Sequence, residues 1–108
     1  MKTHEVIIKI LQLLEDSLDK DDLDISLFKE EVLGIKKIRR DYILEMMQDV
    51  GLIKGVLFSK DGNKRSPAVT FIRDMKITLK GIMYLEENTA TAKIIKAAKL
   101  IKDIVPMI

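Results

Sequence analysis

Two glycines, Gly34 and Gly51, bracket one helix's length of chain and leave few ways for it to fold. Leu33-Gly34-Ile35 stands before this stretch and Val50-Gly51-Leu52-Ile53 after it. Lacking a Cβ, Gly34 can take a sharp turn between two helices. Gly51 can end the second of them in a left-handed conformation. Between the two, Lys36, Lys37, Arg39 and Arg40 put four cations into the helix's first turn and a half. Beyond Gly51 the chain runs on into an extended segment.

The chain's 108 residues suffice for a single domain with one core, taken as residues 1–108. Apolar residues make up 47% and charged residues 33%, which is the balance of a globular chain and not of a disordered one. There is no cysteine, so disulfides, thiolate zinc sites and thiol nucleophiles are excluded. No apolar run reaches membrane-spanning length, and the N-terminus carries no signal-peptide pattern. A cytoplasmic protein with no membrane association is the expectation. Charge is unevenly spread. Residues 1–34 carry nine acids against four bases, a net −5, and residues 35–108 carry fifteen bases against eight acids, a net +7. The basic part begins where the bracketed helix begins. Such asymmetry suits a polyanionic partner or, equally, a mixed solvated surface.

Along the chain, Thr3 can cap a first helix with Glu5 in its first turn. Its apolar residues, from Val6 to Leu18, occupy more than one stripe, so it is covered on several sides. Asp19-Lys20-Asp21-Asp22 is a polar link. Asp24-Ile25-Ser26 reads as a very short strand, and a second helix over about 27–33 turns Leu27, Phe28 and Val32 inward. The third helix runs over about 36–50. On a helical wheel Tyr42, Ile43, Met46, Met47 and Val50 gather on one side, and Lys37, Arg40, Asp41, Leu44 and Gln48 on the other. Leu52 to Ser59 reads as a strand, Lys60 to Pro67 as a loop turning on Asp61-Gly62-Asn63, and Ala68 to Arg73 as a returning strand with Val69 and Phe71 on one face. Thr78 can cap a short helix that Gly81 lets pack closely, with Ile82 and Leu85 inward and Asn88 at its end. A last helix ends before Pro106, with Ile94, Ala97, Ala98, Ile101, Ile104 and Val105 on its apolar side. The expected core joins Leu14, Phe28, Ile43, Met47, Phe71 and Leu85.

The order helix, short strand, helix, helix, hairpin, helix, helix resembles the winged helix-turn-helix superfamily. The spacing from Leu33-Gly34-Ile35 to Gly51-Leu52-Ile53 is similar to that of MarR-type and PadR-type bacterial regulators. Over nearly the whole chain the resemblance is to the YjcQ-like family of small bacterial and prophage proteins. It is carried by Gly51-Leu52-Ile53-Lys54-Gly55, by Ile77-Thr78-Leu79-Lys80-Gly81-Ile82 with Tyr84-Leu85-Glu86-Glu87-Asn88, and by Ile101-Lys102-Asp103-Ile104-Val105-Pro106. The resemblance implies a mainly α chain with a small antiparallel β-wing at about 52–77 and two added C-terminal helices at about 79–105. It implies a phage-related setting and no settled activity. One departure stands out: Lys36 occupies the position where many relatives of this general type start the recognition helix with a capping Ser or Thr.

If the third helix enters a DNA groove, Lys36, Lys37, Arg39 and Arg40 can contact phosphates. Lys37, Arg40 and Gln48 can reach base edges, since Arg and Gln carry donor geometry for guanine and adenine. Arg39 falls nearer the apolar side and weighs less. The plainer reading is a solvated helix face, supported by Asp41 and Glu45 nearby and by Glu30 and Glu31 in the supporting helix, all of which would repel phosphate. Lys60, Lys64 and Arg65 on the wing loop suit a DNA backbone or minor groove, or form an ordinary hairpin tip. Lys93, Lys96, Lys99 and Lys102 wrap half of the last helix and read as solvated charge. The apolar side of that helix suits a cover for the first helix or the arm of a homodimer.

His4 is the lone histidine and is expected to face solvent, so no metal site is expected. The acids at Asp19, Asp21, Asp22 and Asp24 lack the Gly and distal Glu of an EF-hand loop. No phosphate-cradling glycine loop, Ser-His-Asp arrangement or evident carboxylate pair is present, so neither an enzyme nor a cofactor is expected. Five aromatics and no Trp give little support for stacking on single strands, and the six methionines suit core filling. The expectation is a small winged-helix protein binding double-stranded DNA as a regulator or accessory factor. The alternative is a protein–protein interaction module on the same scaffold.

Overall fold

A computed structural model describes residues 2–59 and 64–88. Lys60, the Asp61-Gly62-Asn63 turn and the expected last helix lie outside the described residues. The architecture is mainly helical with a small antiparallel β part: α1 (Thr3–Asp16), α2 (Glu30–Leu33), α3 (Lys37–Asp49), β1 (Ile53–Lys54), β2 (Leu57–Ser59), β3 (Ala68–Phe71), β4 (Lys76–Ile77) and α4 (Leu79–Asn88).

Helix α1 starts one residue earlier than Thr3 would start it as a cap. Lys2 is the cap, and the Glu5 carboxylate accepts its backbone N–H at 2.9 Å. Thr3 is inside the helix, and its hydroxyl accepts a hydrogen bond from Arg39 Nη2 at 2.8 Å. Val6, Ile10, Leu11 and Leu14 are buried along one side, and α1 packs on α3, α4 and β4. His4 is exposed, with the Tyr84 hydroxyl 3.3 Å from its Nδ1.

The strand expected at Asp24 to Ser26 does not form. The Asp24 carboxylate accepts from the backbone N–H and the hydroxyl of Ser26, at 3.1 and 2.6 Å, and so starts a 3-10 turn, Ile25–Phe28. The bonds from Ser26, with the charge of Lys20, hold the Asp24 carboxyl below its ordinary value. The expected second helix is therefore cut in two. Lys29 is extended, α2 is a single turn, and the Phe28 carbonyl accepts from Arg40 Nη1 at 3.1 Å instead of continuing a helix. Phe28 and Leu33 are buried, but Val32 is exposed against expectation.

Both bracketing glycines are left-handed, Gly34 at φ 73° and Gly51 at φ 85°. Helix α3 closes in a Schellman motif, Gly51 N–H to the Gln48 carbonyl and Leu52 N–H to that of Met47. The rotation of α3 differs from the wheel. Asp41, Ile43, Leu44 and Met47 are buried, whereas Met46 at 48% and Val50 at 55% are exposed. Backbone groups of the β part help to satisfy the polar side chains on the buried side, Asp41 through Val69 and Gln48 through Val56.

The segment expected as one strand from Leu52 to Ser59 breaks at Gly55. That residue sits at φ 88°, and an added Cβ would collide with the backbone of Asp74. Two sheets result. β1 pairs antiparallel with β4, Ile53 opposite Ile77. β2 pairs antiparallel with β3, with Phe58 opposite Val69 and Ser59 opposite Ala68. A register shift after Leu57 leaves Leu57 and Phe71 as an exposed cross-strand pair. Phe71, at 37% exposure, is thus not in the core; Phe58 and Val69 pack there in part. Thr78 caps α4 by accepting the Gly81 N–H at 3.0 Å. Asn88 is not left-handed; it closes the helix through its side-chain amide, which donates to the Tyr84 carbonyl at 2.9 Å. Gly81 lies against the Leu52 carbonyl, where a Cβ would also stand 2.7 Å from Ile77 Cγ1.

Candidate nucleic-acid interface

The first two turns of α3 and the β2–β3 hairpin meet at a buried carboxylate. Asp41 is 2% exposed. Its Oδ1 accepts from Arg40 Nε and Nη2 at 3.0 and 2.9 Å. Its Oδ2 accepts from Lys37 Nζ at 3.2 Å and from the Val69 backbone N–H at 3.3 Å. A carboxylate so enclosed is stable only when its charge is matched and its lone pairs are filled. Here two cations on its own helix and one amide of β3 do both. Asp41 therefore fastens the hairpin to α3 and does not repel a phosphate from the surface.

Arg40 is consumed by this arrangement. Its side chain is 11% exposed, and its third donor goes to the Phe28 carbonyl. Gln48 is likewise internal: its Nε2 donates to the Val56 carbonyl and its Oε1 accepts the Val56 N–H, both at 2.9 Å. The two residues with the best hydrogen-bonding geometry for bases are thus turned to the protein's own backbone.

The cations that do face water cluster at one end. Lys36 is extended and exposed, with no side-chain cap on α3. Lys37 keeps more than half of its side chain in solvent despite its bond to Asp41. Lys37 and Lys64 line one cleft of about 180 Å³, together with Ile38, Ser59, Ser66 and Pro67 and with Asp41 in its lining. Arg65, also exposed, lays its guanidinium 5.1 Å from the centre of the Tyr42 ring, a cation–π contact between hairpin and helix. Of the residues singled out in the sequence, Lys36, Lys37, Lys64 and Arg65 come together, Arg40 and Gln48 do not join them, and Lys60 is outside the described residues.

Ile38, Tyr42 and the structural part played by Asp41 escaped the sequence reading. Only the last left a trace, in the four-residue spacing of Lys37 and Asp41 on a helix. Among the described residues no group of three or more His, Cys, Asp or Glu side chains is placed to hold a metal, and no helix is long and apolar enough to cross a membrane.

The family model described as YjcQ protein matches residues 8–104, from the middle of α1 through both sheets and α4 and beyond. The chain belongs to the YjcQ family. No curated protein and no solved structure matches it. As a YjcQ protein it carries the glycine-bracketed α3, the split β segment and the Thr78-capped α4 inside the matched span.

Proposed function

We propose that this YjcQ protein is a winged-helix protein that binds double-stranded DNA in the cytoplasm, as a regulator or accessory factor and not as an enzyme. On this reading α2, the Gly34 turn and α3 are the helix-turn-helix, and the β2–β3 hairpin is the wing. The observation that carries it is the shared cleft in which Lys37 of α3 faces Lys64 of the hairpin, with Lys36 and Arg65 beside it. Cations from two elements at one end of a molecule are what a phosphate backbone requires. With Arg40 and Gln48 engaged internally, these contacts position the duplex more than they read it.

The second reading, an interaction module for another protein, is favoured by that same engagement of Arg40 and Gln48. Anisotropy titration of a mixed-sequence duplex at two salt concentrations separates the two. Duplex binding predicts an affinity that falls steeply with salt and is largely lost in the Lys36→Ala, Lys37→Ala, Lys64→Ala, Arg65→Ala quadruple variant. Equal, weak binding by both proteins at physiological salt would exclude DNA and leave the protein partner.

A further inference from the structure

The start of α3 holds one large apolar side chain in water. Ile38, the second residue of the helix, is 62% exposed. A single exposed isoleucine is ordinary on a protein surface; the setting of this one is not. It follows Lys36 and Lys37 in sequence and lines the cleft that Lys37 shares with Lys64 of the hairpin. Tyr42, one turn further on, is covered by the Arg65 guanidinium, whereas Ile38 stays open. The other exposed apolar residues of α3, Met46 and Val50, lie about 12 and 18 Å further along the helix at 1.5 Å per residue. Ile38 is thus the apolar member of a cationic end and not part of a continuous greasy patch of the kind that the core of a protein–protein interface needs.

The chemistry at this end limits what can be read there. Lysines and the hairpin arginine hold phosphates without telling one base from another. Arg40 and Gln48, whose forked or paired hydrogen-bonding groups recognise guanine and adenine, are bonded to Asp41, Phe28 and Val56. What remains at the helix start is an aliphatic side chain, and the one apolar feature in the major groove is the C5-methyl of thymine. Residues at the N-terminal end of a recognition helix are those that reach base edges. As a β-branched residue in a helix, Ile38 already occupies essentially one χ1 rotamer, so little side-chain freedom is lost when it packs on a methyl group.

We propose that Ile38 is a specificity-determining residue that reads thymine in the major groove by packing its side chain on the C5-methyl group. This rests on the duplex-binding reading above and narrows it: phosphates fix the register, and thymine methyls under α3 set the preference.

The test removes the methyl and nothing else. An AT-rich duplex of mixed sequence is compared with the same duplex in which every thymine is replaced by uracil, which leaves the phosphates and the base-pair hydrogen bonds in place. Binding of the wild-type chain and of Ile38→Ala is followed by anisotropy at one fixed salt concentration, with circular dichroism checking that the exposed substitution leaves the helices intact. The expected result is that the wild type binds the thymine duplex about fourfold more tightly for each methyl it covers. Ile38→Ala should bind both duplexes alike, near the wild type's affinity for the uracil form. The proposal is overturned if the wild type binds the two duplexes equally, or if Ile38→Ala keeps the thymine preference. If neither duplex is bound in a salt-dependent way, the duplex reading falls and takes this inference with it. Salt-dependent binding without methyl preference overturns the inference alone.

Discussion

Asp41 is the one buried charged side chain among the described residues, and its surroundings decide what its neighbours are free to do. Removing one member of a buried, hydrogen-bonded ion pair leaves the other charge without compensation. Arg40→Ala should therefore lower unfolding free energy by about 3–5 kcal/mol, read from urea denaturation. Arg40→Met combined with Asp41→Leu should cost less than Arg40→Ala alone, because no buried charge is then left over. A decrease below about 1 kcal/mol for Arg40→Ala would show that water reaches Asp41 and that Arg40 is free to face a ligand. In the sequence, the spacing of Lys37 and Asp41 was legible as a helix pair. The third partner was not: the Val69 amide is 28 residues away, and no local pattern announces it. Gln48 is the same case, since its contact with Val56 depends on where the chain goes after Gly51.

At the scale of the elements, spacing along a helix was readable and its rotation was not. The wheel for α3 separated two faces, but it assigned the inward one by counting apolar side chains. Burying Asp41 and Gln48 turns the helix so that Leu44, which shares their side, is fully enclosed, while Met46 and Val50 face solvent. Leu44→Ala should accordingly cost about 2–5 kcal/mol in thermal or chemical unfolding, and Met46→Ala less than about 1 kcal/mol. The reverse order would restore the wheel's assignment. The strand from Leu52 hid a similar ambiguity. Its composition reads as one extended run, yet Gly55 bends it against Asp74 and hands its two halves to different partners. Short elements suffered most. Asp24 and Ser26 bond to each other and outcompete a strand of three residues, and the demand of Arg40 for the Phe28 carbonyl ends a helix that pattern alone would continue.

For the molecule as a whole, the order of helices, the antiparallel pairing of Ser59 with Ala68 and the Thr78 cap were all legible, because glycine brackets and capping residues act locally. The placement of charge was legible only in part. The sequence divides into an acidic beginning and a basic remainder, but the basic remainder does not act as one surface. Arg73 and Lys76, on and beside β4, line a second cleft with Ser17, Leu18, Lys20 and Asp21, so they lie against the acidic link that follows α1. Lys37 and Lys64 line a different cleft, at the start of α3. The two groups should therefore separate in a salt titration. Taking one cation away from a phosphate flattens the plot of log affinity against log salt by about one unit. Alanine at Lys36, Lys37, Lys64 or Arg65 should produce that change with a mixed-sequence duplex. Arg73→Ala with Lys76→Ala should leave the slope within about half a unit of the wild type, because these cations already sit beside the protein's own acids and need not meet phosphate. If the Arg73 and Lys76 pair flattens the slope as much as Lys37 and Lys64 do, the duplex lies across the sheet side of the molecule and not on the start of α3.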